Sequence, residues 1–326
     1  ASHATGGGSG AAKAALAGLA LTYAPQLTDN INGLLQAFMN LETNMVSVER
    51  CFQYADLPPE EAPGTHPEPD AAWPHAGAIE FRGAVMGYRP GLPDVLKGAT
   101  FSIGAGEKVG VVGRTGSGKS TLLTCLFRLV ELRAGSILID GVDIGGVPLA
   151  TLRSRLAIIP QDPIFFTGSL RYNLDPRAEQ TDDELVEMLR RCACGPLLEA
   201  AAGGGADGLQ MRLEGGGSNL SAGQRQLLCM ARALLKRCRV LVLDEATANL
   251  DLETDALIQR TLEELSGDAT TLTIAHRLNT IMNSDKVLVM DAGRVADNSP
   301  APPQVLKNTE GTIFARLCRA AEQDDH

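Results

Sequence analysis

Aromatic side chains are scarce: eight Phe, four Tyr and one Trp make up only 4% of the 326 residues. A core must therefore be built from Leu, Val, Ile and Ala. With 44% hydrophobic and 21% charged residues there is ample material for one. A basic surplus is also missing. Lys and Arg number 29 against 39 Asp and Glu, a net charge of −10, which argues against a nucleic-acid-binding face. Phosphate ligands stay open, because backbone N–H groups bind those locally. Cysteine lacks any pairing pattern. There are seven, and the close pair Cys192 and Cys194 has no second cysteine or histidine cluster beside it in sequence. Free thiols in a reducing compartment fit this better than a disulfide framework or a zinc ribbon. Long apolar runs are missing too. Ala14 to Ala24 is apolar but falls short of the roughly 20 residues that cross a bilayer. It reads as the end of a span that begins elsewhere in a longer protein. No signal peptide is visible, and the opening ATGGGSG reads as a loop.

Composition divides the rest into a helix, a linker and an α/β domain. Leu27, Ile31, Leu34, Phe38, Leu41, Met45, Val48 and Phe52 alternate spacings of four and three, the a/d seam of a heptad helix roughly 39 Å long at 1.5 Å per residue. Pro25 stands just before the seam, where a helix starts or kinks. A bundle helix and the cytoplasmic extension of a membrane helix satisfy this pattern equally. Residues 56–78 carry six prolines, which remove backbone donors and predict an extended, mobile linker. Trp73 within it is expected to anchor on a domain surface. From Ala78 onward, β-rich runs alternate with helical ones. Strands are predicted at Ile79–Phe81, Lys108–Val112, Ser136–Ile139, Leu156–Ile159, Val240–Leu243, Thr270–Ile274 and Lys286–Met290. Helices are predicted at Lys119–Phe127, Asp182–Arg191, Ala222–Leu235, Thr254–Leu265 and Pro302–Leu306. Interleaving of this kind implies a largely parallel sheet covered by helices. An acidic tail closes the chain at residues 323–326.

Three motifs carry chemistry. The segment Gly113-Arg114-Thr115-Gly116-Ser117-Gly118-Lys119-Ser120 fits G-x-x-x-x-G-K-[ST], follows the strand EKVGVV and opens the helix KSTLLTCLFRL, with Thr121 in its first turn. The glycines let successive N–H groups curl around phosphates, and the helix N-terminus adds positive potential. Lys119 is the cation for the β- and γ-phosphates, and Ser120 offers an oxygen to Mg²⁺. The second motif, Val240 to Glu245, is an apolar strand from which Asp244 and Glu245 emerge. Downstream of a phosphate loop it suits a metal carboxylate followed by a general base for water. In the third, Leu220-Ser221-Ala222-Gly223-Gln224 opens an amphipathic helix, where Ser221 and Gln224 also make an ordinary capping box.

At this third element the sequence resembles the ABC ATPases, whose signature reads L-S-G-G-Q or L-S-x-G-Q. The resemblance implies a P-loop NTPase fold of ABC type: a mostly parallel core sheet, an antiparallel β subdomain and a helical signature subdomain, here preceded by a long helix. It implies that Ser221, Gly223 and Gln224 bind the γ-phosphate of an ATP held by an opposing domain. It further implies that Gln161 in IIPQDP touches Mg²⁺ or the water, that His276 in TIAHRL contacts the γ-phosphate, that Asp251 in ATANLD lies at the domain–domain contact, and that Tyr88 in VMGYRPG stacks on adenine.

YRPGLP (88–93), LETNMVSVERCFQY (41–54) and SNLSAGQRQLLCMARALL (218–235) resemble the second nucleotide-binding domain of subfamily C, the multidrug resistance-associated transporters. By that resemblance residues 1–55 are the cytoplasmic end of the last transmembrane helix, 56–78 the linker and 79–322 the nucleotide-binding domain. ATP and Mg²⁺ are the implied ligands. The first nucleotide-binding domain and the transmembrane domains of the same transporter are the implied partners, in a membrane, with no nucleic acid. An amphipathic anionic or conjugated compound is the implied cargo, although the residues that would contact it lie outside this chain. The Gly- and Ala-rich stretch 199–217 and Ala222, where this branch often has Val, depart from the pattern. A channel-gating regulatory subunit is a second reading. A soluble ABC ATPase is a third, disfavoured because this chain has one ATPase domain and no long coiled-coil insertion.

Overall fold

The computed structural model describes residues 7–324 apart from 62, 63, 65, 90, 201–204, 245–251, 276, 277, 300, 310 and 311. The chain divides into two compact units, residues 1–62 and 63–326.

The first unit is one helix, α1 (Gly7–Ala55), of 49 residues. It runs through Pro25 and includes Gly7, Gly8 and Gly10, so the second half of the expected ATGGGSG loop is helical instead. The seam residues from Leu27 to Phe52 are all solvent-exposed, at 42–72%. No helix among the described residues is long and apolar enough to cross a membrane.

The second unit holds two main sheets. Four strands, β1 (Ile79–Met86), β2 (Leu96–Ile103), β4 (Ala134–Ile139) and β5 (Val142–Asp143), form an antiparallel sheet in the order β2-β1-β4-β5. The larger sheet contains β3 (Lys108–Gly113), β6 (Leu156–Ile159), β9 (Val240–Asp244), β10 (Thr270–Ile274), β11 (Lys286–Asp291) and β12 (Arg294–Asp297). Its order is β12-β11-β3-β10-β9-β6, parallel except for β12. The short strands β7 (Gly168–Ser169) and β8 (Arg212–Leu213) pair separately.

Alternation along each strand sorts the core. Val109, Val111, Val240, Val242, Leu272 and Ile274 face one cluster, which they share with Phe81, Phe101 and the helix α2 (Lys119–Leu126). Phe81 and Phe101 stack with centroids 4.5 Å apart. The alternate residues Leu241 and Leu243, with Ala157 and Ile159, face a second cluster. Helix α3 (Leu149–Arg155), which leads into β6, gives Leu152 to the first cluster, and the second is completed by α4 (Leu170–Leu174), α5 (Asp182–Arg191), α6 (Gly195–Ala200), Leu209 just after α7 (Gly205–Gly208), α8 (Ala222–Leu235) and α9 (Leu252–Leu265). A third cluster sets Val112, Val287 and Val289 against Phe314 and Cys318 of α11 (Ile313–Asp324), which follows α10 (Pro303–Asn308). Helix α11 takes in the start of the expected acidic tail. All seven cysteines are free, five of them buried. Burial pushes the thiols of Cys125, Cys192 and Cys194 up to about 12, so they behave as small apolar groups.

The second half of the Pro-rich segment is docked, not mobile. Trp73 is 1% exposed, and its indole N–H donates to Ile139 O at 2.9 Å. The Asp140 carboxylate accepts from the backbone N–H groups of Ala76, Gly77 and Ala78 at 2.7–3.0 Å. Six prolines stiffen the chain, but a buried indole and a carboxylate clamp outweigh the tendency to stay loose.

Candidate functional site

The register of the large sheet sets the site. Ile274 of β10 pairs with Asp244 of β9 and with Val111 of β3, while Ile159 of β6 pairs with Leu243. The carboxyl ends of four parallel strands therefore finish at one edge, where open α/β sheets bind ligands. The loop after β3, Asp244, and Gln161 two residues beyond β6 all emerge there. Glu245, Asp251 and His276 lie outside the described residues.

The loop 113–118 joins β3 to α2 through Gly113, Gly116 and Gly118, all at positive φ. A side chain on Gly113 would strike Met290 O, whereas one on Gly116 would meet open space. Helix α2 begins at Gly118, in the left-handed region, without a side-chain cap. Glycine offers no side chain of its own to cap the first turn, and an uncapped helix start suits an anion. Lys119 is 5% exposed, and its Nζ donates to Gly113 O at 2.7 Å and Arg114 O at 3.3 Å. The ammonium is curled inside the loop that it would serve. Ser120 is exposed at the helix start, and the Oγ of Ser117 is buried without a hydrogen-bond partner.

Beside the loop lies a cavity of about 400 Å³, walled by Tyr88, Leu92, Asp94, Val95, Gly116 and Ala292. Tyr88 is 49% exposed, and its hydroxyl lies 3.2 Å from Oγ1 of Thr121. One end of the ring is tied to α2 while the ring itself stays accessible. A second cavity, between α9 and the strands β9 and β10, measures only about 50 Å³, too small for a nucleoside.

Helix α8 presents a different N-terminus. Ser221 Oγ accepts from Gln224 N at 3.1 Å, and Gln224 Oε1 accepts from Ser221 N at 2.9 Å. Ser221 and Ala222 are exposed. Gly223 lies so close to Thr254 that an added Cβ would sit 3.0 Å from its methyl group.

Several supporting residues escape a reading of the sequence alone. Gly293 N donates to Ser117 O at 3.0 Å, and Lys97 N donates to Gly293 O at 2.8 Å, so the turn between β11 and β12 props the phosphate loop. Ala292 and Gly293 both have positive φ, 47° and 85°. The Ala-Gly step between two apolar strands is the signal that could have found this turn. Gln226 of α8, 3% exposed, donates to Pro160 O at 3.3 Å, and Arg232 donates to Ile164 O at 3.1 Å while its guanidinium lies over Phe165. The segment carrying Gln161 is therefore tied to α8. Gln161 itself is exposed.

A glycine-rich strand–loop–helix with an inward lysine, set at the carboxyl edge of a parallel sheet next to an acidic strand end, defines a P-loop nucleotide-binding domain. Residues 96–248 match the family model for ABC transporters, and the chain belongs to that family. It is 47% identical to ATP-binding cassette sub-family C member 10 of Mus musculus over 97% of this chain and 21% of that protein. It is 47% identical to sub-family C member 2 of Rattus norvegicus over 89% of this chain and 19% of that protein. Among solved structures, a bacterial Atm1-family ABC exporter with ATP bound matches with a TM-score of 0.76 at 30% identity, over 92% of this chain and 51% of that one. The chain spans about a fifth of the length of the curated relatives it matches. Domains of this family bind ATP, and its members are ATPases coupled to transport.

Proposed function

We infer that the chain is the ATP-hydrolysing motor domain of a subfamily C exporter, joined to the cytoplasmic end of its last transmembrane helix. The observation that carries this reading is the shared sheet edge. The phosphate loop, the Asp244 carboxylate and the Gln161 segment leave parallel strands of one sheet at the same edge, β3 and β9 being joined through β10. The boundaries proposed are 1–55 for the membrane-helix end, 56–78 for the linker, 79–322 for the nucleotide-binding domain and 323–326 for the tail. The whole transporter sits in a membrane with this region on its cytoplasmic side. Its first nucleotide-binding domain and its transmembrane domains are the partners. The cargo class is amphipathic anionic or conjugated.

In this reading the adenine stacks on Tyr88, and the N–H groups of residues 113–121 hold the phosphates with Lys119 as the cation. The donor set fits Mg²⁺: hydroxyl, carboxylate and amide oxygens from Ser120, Asp244 and Gln161 are hard ligands. Among the described residues no group of three His, Cys, Asp or Glu could hold a metal, so phosphate oxygens and waters would complete the shell. The ion supplies charge neutralisation on the β- and γ-phosphates. Glu245 takes a proton from the attacking water, whose oxygen bonds to the γ-phosphorus as the bond to the β–γ bridging oxygen breaks. His276 contacts the γ-phosphate. Ser221, Gly223, Gln224 and Asp251 face the ATP of the partner domain.

Glu245→Gln tests the assignment, because it keeps size and removes the charge. With the partner domain supplied, MgATP should bind normally while turnover falls roughly 10²–10⁴-fold, the range for losing general-base help. Normal turnover would reject Glu245 as the base. Lost binding would show that it serves the metal instead.

A further inference from the structure

Arg133 stands outside the 400 Å³ cavity, yet it holds two of the residues that wall it. It precedes β4, and its own N–H donates to Val85 O at 2.8 Å. Its side chain reaches back under the Tyr88 segment. Nη1 donates to Asp94 Oδ1 at 2.6 Å and to Leu92 O at 3.2 Å, and Nη2 donates to Arg89 O. Leu92 and Asp94 line the cavity directly, and Arg89 follows Tyr88. The guanidinium also packs on Gly87, where a Cβ would lie 2.7 Å from Cζ. One planar cation thus gathers three acceptors from the stretch 89–94 that follows the tyrosine while it packs on Gly87, which precedes it. Lysine, a point donor, lacks the fork needed to do this.

A single exposed ion pair is worth little, and Arg133 and Asp94 are each about one-third exposed, at 35% and 36%. The two backbone carbonyls make the difference, because they hold the chain itself and not only a side chain. Tyr88 is fixed at its hydroxyl by Thr121. Its backbone, between Gly87 and Arg89, has Arg133 as the support on the other side.

We propose that Arg133 is a positioning residue for the nucleoside: it fixes the plane of Tyr88, and so governs the share of ATP affinity that comes from the base and not from the triphosphate. This rests on the reading of Tyr88 and the phosphate loop as an ATP site.

The test is calorimetry on the 326-residue chain with two ligands, MgATP and Mg-tripolyphosphate, across the wild type, Tyr88→Ala, Arg133→Met and the double variant. Tyr88→Ala should weaken MgATP roughly 5- to 100-fold, the range for losing one base–aromatic stack, and leave tripolyphosphate unchanged. Arg133→Met should weaken MgATP about three- to tenfold, within the range for neighbours in one network, again without touching tripolyphosphate. In the Tyr88→Ala background it should cost nothing further. Equal loss for both ligands, no loss for MgATP, or additive losses would each overturn the proposal. If Tyr88→Ala leaves MgATP affinity intact, it is the base-platform reading that has failed. Should Arg133→Met not fold, Gly87→Ala displaces the same guanidinium and must reproduce the MgATP-only loss.

Discussion

Two helix N-termini in this domain carry the proposed phosphate contacts, and they are finished in opposite ways. Helix α2 starts at a left-handed glycine with no side-chain cap, and its lysine is folded inward and 5% exposed. Helix α8 starts at an exposed serine in a complete capping box. The first is wrapped by its own loop and can form a site within one chain. The second keeps its backbone helix stable by itself and turns an uncovered face outward. Ser221 Oγ accepts from Gln224 N, but a hydroxyl keeps its own O–H to donate. The cap and a phosphate contact are therefore compatible in one residue. The difference fits the proposed division of labour, in which α2 serves this chain's nucleotide and α8 meets one that another domain brings.

The largest effect that could break this comparison comes from Lys119→Ala. The ammonium supplies more than one charge-assisted bond, each worth about 1.5–3 kcal/mol, so MgATP affinity of the chain should fall by at least about 100-fold. Titration calorimetry reads it directly. Affinity within a few-fold of wild type would mean that α2 is not the nucleotide end.

Ser221→Ala should act elsewhere. Losing an N-cap costs about 1 kcal/mol, visible as a lower urea midpoint, while MgATP affinity of the chain alone should not change. Turnover should drop only when the partner domain is supplied. If this variant instead weakens MgATP binding by the isolated chain as Lys119→Ala does, the two N-termini are not divided between domains.

How legible this was depends on how local each feature is. The runs VGVV, VLVL and VLVM are continuous and apolar, so β3, β9 and β11 could be read directly as strands buried on both faces. Strand β2 could not, because Gly98 interrupts its alternation and its outer residues are exposed. Nor could β5, β7 and β8, each two residues long, which exist only because a partner strand arrives. The phosphate loop is legible because its function needs consecutive residues. Gly293 props that loop at Ser117, Arg133 holds the stretch after Tyr88 from 39 or more positions away and Gln226 holds Pro160 from 66 positions away, as an ordinary glycine, arginine and glutamine whose partners only the fold supplies. The Pro-rich segment failed in the other direction. Proline content predicts stiffness well, but whether a stiff strap docks is decided by Trp73 and by Asp140, 67 residues further on.

Asp140→Asn provides the smallest effect and the control for both ends. Burial pushes the Asp140 carboxyl up, but the N–H groups of Gly77, Ala76, Ala78 and His75 outweigh it and hold the carboxyl below its usual range. A carboxylate so depressed contributes stability that is present above the unfolded-state pKa, near 3.9, and is lost as pH falls through the lower folded-state value. The clamp should therefore be fully closed at neutral pH and open only in acid. Trp73 is the sole tryptophan and is buried by the docked segment, so its emission reports the clamp. In Asp140→Asn one amide oxygen must replace two carboxylate oxygens, and about 1 kcal/mol should be lost at neutral pH. Quenching of Trp73 by acrylamide should rise there, and the acid-dependent red shift expected of the wild type should disappear. MgATP affinity should match wild type, because neither α2 nor α8 is touched. If quenching does not change at neutral pH, the N–H bonds to Asp140 are not what holds the segment. If MgATP affinity falls with it, the docked segment is coupled to the phosphate loop, and the two N-termini can no longer be treated as independent of it.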